Sequence, residues 1–264
     1  MSAPASTAAF FDLDGTLLPA PSLEFRFLQH LFARRLLPAS NAFKWLMRSA
    51  YLLPLGIDEA CRANKTYLAG LPESLASNWI HSIGAEDSPN RLRFFEQGWS
   101  RLAWHQSQNH RVFLISGTLA LLAVGAACFL PRGIQVVATK LSTILPFAAP
   151  QDSKIASAIW TGELSGEHMV GRAKMRAICG LAVQHGIDLQ ASYAYGDSLA
   201  DCPMLEAVGH PQAVNPSRGL TEIARKRGWP VSSWKHTDTD REKGRGGLVL
   251  GACLARPESA EDRP

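Results

Sequence analysis

Short apolar runs alternate with longer stretches of helical periodicity along the 264-residue chain. Residues 8–11 are uniformly apolar and lead into a polar loop at residues 12–16, which predicts a buried strand that ends at a loop. Apolar or β-branched runs predict further strands at residues 111–115, 133–139, 191–195 and 213–216. The turn pairs Thr161-Gly162 and Ser165-Gly166 predict a hairpin over residues 158–166.

Helical spacing dominates the segment between the first two predicted strands. Apolar residues recur there at intervals of three and four, at Leu23, Phe27, Leu28, Leu31 and Phe32. A second helix, containing Trp45 and Tyr51, is stopped by Pro54 and Gly56. Residues 91–108 and 171–185 predict two more helices, the latter ending near Gly186.

One run without charged residues, 112–131, is about as long as a membrane span. Ser116-Gly117-Thr118 interrupts this run with turn chemistry, so it predicts a buried strand and a buried helix. We therefore expect no stable membrane insertion, with a spanning helix as the alternative.

Alternation of strands and helices predicts an α/β fold. We expect a Rossmann-like doubly wound, mostly parallel sheet with a smaller α-helical cap domain. Residues 1–18 and 89–234 would form the core and residues 19–88 the cap. Residues 235–264, polar and glycine-rich at first, are expected to form a flexible C-terminal tail. Ligands in such folds bind at the carboxyl ends of the strands, where the polar motifs of this chain fall.

Two aspartates follow the first predicted strand. Asp12 and Asp14 are two positions apart and point to the same side, while Leu13 points toward the core. Carboxylates this close repel each other unless a cation or a proton intervenes, and Mg²⁺ prefers oxygen ligands. One carboxylate can then attack phosphorus while the other protonates the leaving oxygen. An ordinary Asp-Gly hairpin turn is the alternative.

Two further motifs suit an anion. Ser116, Gly117 and Thr118 follow a predicted strand and are expected to open a helix, where amides and a hydroxyl bind phosphate. Lys174 lies at a predicted helix start and can offset phosphate charge. A plain helix cap and a solvated surface lysine are the alternatives.

A second acidic pair follows the strand at residues 191–195. Asp197 can complete a metal site with the first pair. Asp201, four residues on at a helix start, can hold a metal-bound water or orient Lys174. The alternative is a helix cap followed by an acid that the helix dipole favours. In the helical segment, Glu24 could contact a polar substrate head.

Composition narrows the class of protein. The net charge of +4 is mild and no basic stripe is present, so we expect no nucleic-acid partner. Five widely spaced cysteines predict free thiols in a reducing compartment. The N-terminus has no basic and apolar secretory pattern. These features predict a cytoplasmic protein and leave its oligomeric state open.

The four motifs together resemble the haloacid dehalogenase superfamily. They are Asp-Leu-Asp-Gly-Thr from Asp12, Ser-Gly-Thr from Ser116, Lys174, and Gly-Asp-Ser-Leu-Ala-Asp ending at Asp201. The resemblance covers residues 10–201, and the helical insert is similar to the cap of the phosphoserine-phosphatase-like subfamily. Gly15-Thr16 and Gly117-Thr118 depart from the phosphoserine phosphatase pattern, so the resemblance leaves the alcohol open.

The resemblance implies a role for each motif. Asp12 would be the nucleophile and Asp14 the general acid and base. Ser116 and Lys174 would bind phosphate. Asp197 would bind Mg²⁺ together with the backbone carbonyl of Asp14.

We therefore predict a Mg²⁺-dependent phosphatase that hydrolyses a small phosphorylated metabolite through an aspartyl-phosphate. The predicted metal residues are Asp12, Asp14, Asp197 and Asp201. The alternatives are a phosphotransferase that uses the same intermediate, a phosphatase for a lipid phosphate, and a catalytically silent scaffold or membrane-associated protein.

Overall fold

The computed structural model describes residues 6–56, 62–84, 88, 91–145 and 157–235. Its strands are β1 (Ala8–Phe11), β2 (Arg111–Leu119), β3 (Gln135–Thr139), β4 (Leu141–Ile144), β5 (Ile159–Leu164), β6 (Tyr193–Gly196), β7 (His210–Val214) and β8 (Val231–Ser232). Its helices are α1 (Leu23–Ala33), α2 (Ala39–Leu52), α3 (Ser74–Gly84), α4 (Glu96–Ser107), α5 (Ala120–Ala127), α6 (Arg172–His185), α7 (Cys202–Glu206) and α8 (Arg218–Arg227).

Parallel strands form the central sheet. In the described residues it has six strands in the order β3-β2-β1-β6-β7-β8, and each neighbouring pair is parallel. Strands β2 and β3 lie on one side of β1, and strands β6, β7 and β8 lie on the other. The order therefore reverses between β1 and β6, where open α/β sheets bind their ligands. The predicted α/β fold with a mostly parallel sheet is confirmed.

Strand β1 is buried on both faces because its side chains alternate between two hydrophobic clusters. Ala9 and Phe11 belong to the cluster that includes residues of α3, α4 and α5. Ala8 and Phe10 belong to the cluster that includes residues of α6, α7 and α8. Successive strand residues point to opposite faces, so an uninterrupted apolar run is what a doubly covered strand requires.

The register of the sheet brings the polar motifs to one edge. Phe11 pairs with Leu114 of β2 and with Tyr195 of β6, and its ring stacks on Tyr195 at 4.3 Å between centroids. The residues that follow these three positions therefore emerge side by side at the carboxyl ends of the strands.

The helical segment carries α1, α2 and α3. Helix α1 begins after Ser22, whose hydroxyl accepts a hydrogen bond from the Phe25 amide. The segment also contacts the two-stranded β4-β5 sheet, since the Gly70 amide donates to the Trp160 carbonyl at 2.8 Å. The division of the chain into core, cap and tail stays a prediction, and residues 236–264 of the tail lie outside the described residues.

The hairpin predicted over residues 158–166 is wrong. This segment forms the single strand β5, which pairs antiparallel with β4. Gly162 has a positive φ of 84° but lies within the strand, where an added Cβ would come within 3.0 Å of Ala69 and Thr66. The glycine therefore allows close packing against the helical segment and does not form a turn.

The helix start predicted at Ser116 is also wrong. Strand β2 continues to Leu119 with an irregularity between Ser116 and Leu119, and α5 begins at Ala120. The Thr139 hydroxyl donates to the Gly117 carbonyl at 2.7 Å, so that carbonyl bonds to β3 and not to a helical turn. A bulge of this kind re-aims side chains at a strand end.

The uncharged run at residues 112–131 forms β2 and α5, as predicted. Among the residues that the structure describes, every helix is too short or too polar to cross a bilayer. The cytoplasmic location stays a prediction.

Candidate active site

Asp12 directly follows β1 and is nearly buried. Its amide donates to the Tyr195 carbonyl at 3.0 Å, which continues the pairing of β1 with β6. Its Oδ1 accepts a hydrogen bond from the Lys174 ammonium at 2.5 Å. Strand β1 pairs in parallel with both neighbours, so the loop after it is not the hairpin turn considered as the alternative.

The turn after Asp12 depends on Gly15. This residue has a φ of 91°, and an added Cβ would lie 2.1 Å from Oδ2 of Asp197. Only glycine combines that backbone conformation with so close an approach. Asp14, one position earlier, accepts a hydrogen bond from the Leu23 amide at 2.6 Å and another from the Thr118 hydroxyl. The first turn of α1 and the end of β2 thus fix the Asp14 carboxylate.

Ser116, Gly117 and Thr118 line the same cavity as Asp12 and Asp14. The Ser116 hydroxyl accepts a hydrogen bond from the Thr118 amide at 3.1 Å, and both side chains are buried. An added Cβ at Gly117 would come within 2.8 Å of Val170, so the glycine permits close packing here. The structure therefore brings this motif to the aspartates, although by a strand end and not by a helix start.

Lys174 lies in the first turn of α6 and is buried. Its ammonium bridges two carboxylates, with Nζ 2.5 Å from Asp12 and 2.6 Å from Asp201. It is therefore not the solvated surface lysine of the alternative reading. Burial lowers the pKa of Lys174, but Asp12 and Asp201 outweigh burial and raise it well above its ordinary value.

Asp201 organises the loop after β6. Its Oδ2 accepts hydrogen bonds from the amides of Asp197 and Ser198 and from the Ser198 hydroxyl, at 2.9 to 3.1 Å. Burial raises the pKa of Asp201, but Lys174 and the Ser198 hydrogen bonds outweigh burial and lower it. Asp201 is thus an ionised carboxylate with most of its oxygen lone pairs already occupied.

Carboxylates from two separate loops converge beside Lys174. Among the described residues, Asp12, Asp197 and Asp201 each offer an oxygen within 4.8 Å of the others. Burial, followed by the neighbouring aspartates, raises the pKa of Asp197 to about 8. Burial also raises the pKa of Asp12 to about 7, against the attraction of Lys174. Three carboxylates facing one ammonium leave a net negative charge that a divalent cation would offset.

The side chain of Asp14 lies outside that acidic group in the structure. Its two oxygens bond to Leu23 and Thr118, and burial raises its pKa. Asp14 nevertheless lines the same cavity as Asp12 and raises the pKa of Asp12. A raised pKa is the property that a carboxyl group needs in order to donate a proton.

Glu24 has partners that the sequence pattern did not predict. Its carboxylate forms an ion pair with the buried Lys65 and accepts a hydrogen bond from the Tyr67 hydroxyl at 2.7 Å. His168 also lines the cavity, and burial together with Lys65 lowers its pKa to about 4. The sequence around Lys65 and His168 does not indicate that these side chains line a cavity, because neither belongs to a motif. The Ser198-x-x-Asp201 capping pattern, by contrast, is readable from sequence.

A cavity of about 790 Å³ joins the aspartates to the helical segment. The side chains described above line it, together with Arg62. Further lining comes from side chains of α1, α2 and the loop between them, namely Phe25, Leu28, Gln29, Phe32, Ala33, Leu37, Ala42 and Trp45. The lining therefore combines charged groups with a large apolar part.

Clustered carboxylates and a buried lysine at the carboxyl edge of a parallel sheet are typical of an α/β enzyme with an acidic active site. The chain belongs to the haloacid dehalogenase-like hydrolase family, whose model matches residues 9–206. The resemblance inferred from the four motifs is confirmed.

Curated relatives agree with this assignment. A probable phosphatase of Mycobacterium tuberculosis is 32% identical over 243 residues, which cover 90% of this chain and 79% of that protein. A phosphoserine phosphatase of the same organism is 28% identical over 234 residues, covering 87% and 71% of the two chains. The family and these relatives identify the chain as a phosphatase.

Solved structures share the fold. A Bordetella pertussis Tohama I protein of unknown function is 26% identical with a TM-score of 0.64, covering 86% of this chain and 98% of that one. A phosphoserine phosphatase solved as a phospho-aspartyl intermediate analogue is 18% identical with a TM-score of 0.58, covering 88% and 95%. The second likeness is one of fold alone.

Proposed function

We propose that this phosphatase hydrolyses a phosphate monoester in a Mg²⁺-dependent reaction, through an aspartyl-phosphate formed on Asp12. The observation that carries the proposal is the bridge from Lys174 to Asp12 and Asp201, within the group of carboxylates that includes Asp197. The ammonium favours ionised Asp12 and would also attract an incoming phosphate. The bridge thus supports Asp12 as a nucleophile rather than as a structural acid.

The donor set fits a hard divalent ion. Asp12 and Asp197 would bind it through carboxylate oxygens, and the resemblance adds the backbone carbonyl of Asp14. Asp201, which already bonds to Lys174 and Ser198, would contribute negative charge and orient its neighbours. When bound, Mg²⁺ would offset the charge of the carboxylates and of the phosphate oxygens.

In the first half of the reaction, an Asp12 oxygen attacks phosphorus and the bond from phosphorus to the ester oxygen breaks. Asp14 donates its proton to the departing alcohol oxygen. Thr118 and the Leu23 amide fix the Asp14 carboxyl group, and burial keeps its pKa raised. The products of this step are the free alcohol and phosphorylated Asp12.

In the second half, Asp14 accepts a proton from a water molecule. The resulting nucleophile attacks phosphorus, the bond to the Asp12 oxygen breaks, and inorganic phosphate is released. Ser116 and Lys174 bind the phosphoryl oxygens in both halves, so catalysis rests mainly on positioning and charge. The helical segment at residues 19–88 excludes bulk water while the alcohol departs.

Replacing the nucleophile tests this mechanism. We expect Asp12→Asn to lower kcat for p-nitrophenyl phosphate with Mg²⁺ by at least about 10³-fold, because no covalent intermediate can form. Asp188→Asn, at an exposed turn residue whose carboxylate caps the Gln190 amide, is the matched control and should retain turnover. Circular dichroism checks that both variants fold.

The intermediate can also be sought directly. Rapid acid quench of the native protein, followed by peptide mass spectrometry, should find phosphate on Asp12. Full turnover in the Asp12→Asn variant, or phosphate on another residue, would overturn the proposal.

A further inference from the structure

Helix α1 has two apolar faces. One consists of Leu23, Phe27 and Leu31, which are fully buried in the core. The other includes Phe25, Leu28 and Phe32, at spacings of three and four, and lines the cavity, with Leu28 also packing partly against the core. A helix that is apolar on two sides needs a second apolar partner. The first partner is the protein core, and the cavity lies where the second would be.

Helix α2 leaves most of its apolar side chains exposed as well, although Trp45 is half-buried and packs partly against the core. Its buried residues Asn41 and Ser49 are polar, and Asn41 donates to the Tyr67 and Ala69 carbonyls at 3.2 and 2.6 Å. These polar contacts attach α2 to the 3₁₀ segment Thr66–Leu68. Ala42 and Trp45 line the cavity together with side chains of α1. The polar residues of α2 thus attach the helix to the rest of the protein, and apolar residues of α2 are available to contact a ligand.

The Glu24 carboxylate is unsuited to a cationic substrate head. Lys65 neutralises it, and Tyr67 donates a further hydrogen bond to the same oxygen. An ammonium group would have to displace the buried Lys65, at the cost of leaving that lysine without its partner. The ion pair therefore disfavours an ammonium group beside Glu24, while Arg62, which also lines the cavity, adds a cationic side chain there.

From these three observations we infer that the alcohol of the substrate carries an unbranched alkyl or acyl chain, which lies between α1 and α2. This inference rests on the proposed function, because it names the substrate class of the same site. The phosphate would contact Lys174 and Ser116, and the chain would extend past Leu28 toward Phe32 and Trp45. A cavity of about 790 Å³ is far larger than a phosphoserine-sized ligand needs.

Chain length gives the first test. Each methylene buried against apolar surface raises affinity by up to about fourfold, so partial burial predicts about threefold per methylene. We expect kcat/KM for n-alkyl phosphates, from ethyl to decyl and below micelle-forming concentrations, to rise by that factor until the cavity is filled. A flat series, or phosphoserine as a better substrate than decyl phosphate, would overturn the inference.

Variants of the cavity give the second test. Phe25 and Phe32 are 48% and 77% exposed, so replacing both with serine should spare the core. We expect Phe25→Ser/Phe32→Ser to lower the ratio of kcat/KM for decyl over ethyl phosphate by about tenfold or more. Phe43→Ser, on α2 but outside the cavity lining and 64% exposed, is the matched control and should leave that ratio unchanged.

Binding without turnover separates the inference from the proposed function. Isothermal titration of the native protein with butyl- and decylphosphonate, in the presence of Mg²⁺, should give much tighter binding of the longer chain. If the protein hydrolyses ethyl phosphate but neither kcat/KM nor phosphonate affinity depends on chain length, the apolar site is contradicted and the proposed function stands. Decylphosphonate binding in a protein that hydrolyses no phosphate ester would support the chain site and sink the proposed reaction.

Discussion

At the scale of single residues, the motif aspartates and lysine were predictable because each follows a strand or opens a helix. Asp12, Asp197 and Lys174 converge as their order in the chain suggested. Lys65 was not predictable, because its burial depends on Glu24, which is 41 residues away. Local patterns carry no information about such a pairing, since a lysine is normally a surface residue.

Gly15 supports a prediction at this scale. Gly15→Ala should lower kcat/KM by about 100-fold, because the new methyl group would push Asp197 away from Asp12. Gly166→Ala is the control, since Gly166 has a similar φ of 96° but no atom within 4 Å of an added Cβ. Steady-state kinetics should show near-native activity in the control. Equal losses in both variants would mean that backbone strain, and not the contact with Asp197, is responsible.

His105 supports a prediction about pH. Its Nε2 lies 2.8 Å from the Tyr195 hydroxyl, and burial lowers its pKa to about 3. The unfolded chain, with a pKa near 6.5, takes up the proton first, so stability falls as pH drops from about 6.5 toward 3. The slope from this residue is up to about 1.4 kcal/mol per pH unit.

We expect His105→Gln to remove that slope even if it lowers stability overall. Urea unfolding at pH 7, 6 and 5 measures the free energy of unfolding at each pH. A variant whose stability fell with pH as steeply as that of the native protein would contradict the assignment of the slope to His105.

At the scale of elements, strands were more predictable than the turns that join them. The strands β1, β2 and β3 follow directly from apolar and β-branched runs. The sequence from Ser116 to Thr118 predicts a helix start because small polar residues are common at helix N-termini. Pairing of Leu119 with Thr139 across the sheet keeps the segment in β2. A bulge set by a neighbouring strand cannot be read from the bulged residues alone.

Thr139 on β3 fixes that bulge. Its buried hydroxyl donates to the Gly117 carbonyl and accepts from the Met169 amide at 3.1 Å. Thr139→Val keeps the shape but leaves both backbone groups unsatisfied, so we expect a loss of about 1–3 kcal/mol in the free energy of unfolding. The exposed Thr143 on β4 offers the control, where valine should change stability by no more than about 0.5 kcal/mol.

Chemical denaturation measures both threonine variants, and kinetics adds a second readout. Thr139→Val should also raise KM, because the bulge orients Ser116, which we propose binds the phosphate. Unchanged stability in this variant would mean that water satisfies the Gly117 carbonyl and the Met169 amide.

At the scale of the whole molecule, the α/β class was predictable but the long-range contacts of the helical segment were not. The Trp160 amide donates to the Leu71 carbonyl at 3.0 Å, which ties β5 to a segment almost 90 residues earlier. The acidic site likewise combines loops after β1 and β6. Both depend on strand order, which the periodicity of single strands does not specify.

Charge repulsion in the acidic site is expected to lower the stability of the metal-free protein, and a bound metal ion is expected to offset that repulsion. Without metal, the half-buried Asp197 carboxylate lies close to Asp12 and Asp201, and its pKa rises to about 8 because desolvation and the neighbouring aspartates disfavour its charged form. Asp197→Asn removes that repulsion with little change in shape, so in EDTA the variant should melt at a higher temperature than the native protein.

Mg²⁺ should reverse this order. A ligand that binds only the folded state stabilises it by about 2.7 kcal/mol at a hundredfold excess over its dissociation constant. The native protein should therefore gain several degrees in Tm with Mg²⁺, while Asp197→Asn gains almost none. Differential scanning calorimetry in EDTA and in Mg²⁺ measures all four values. An equal gain in both proteins would place the ion elsewhere, because a site that includes the Asp197 carboxylate must weaken when that charge is removed.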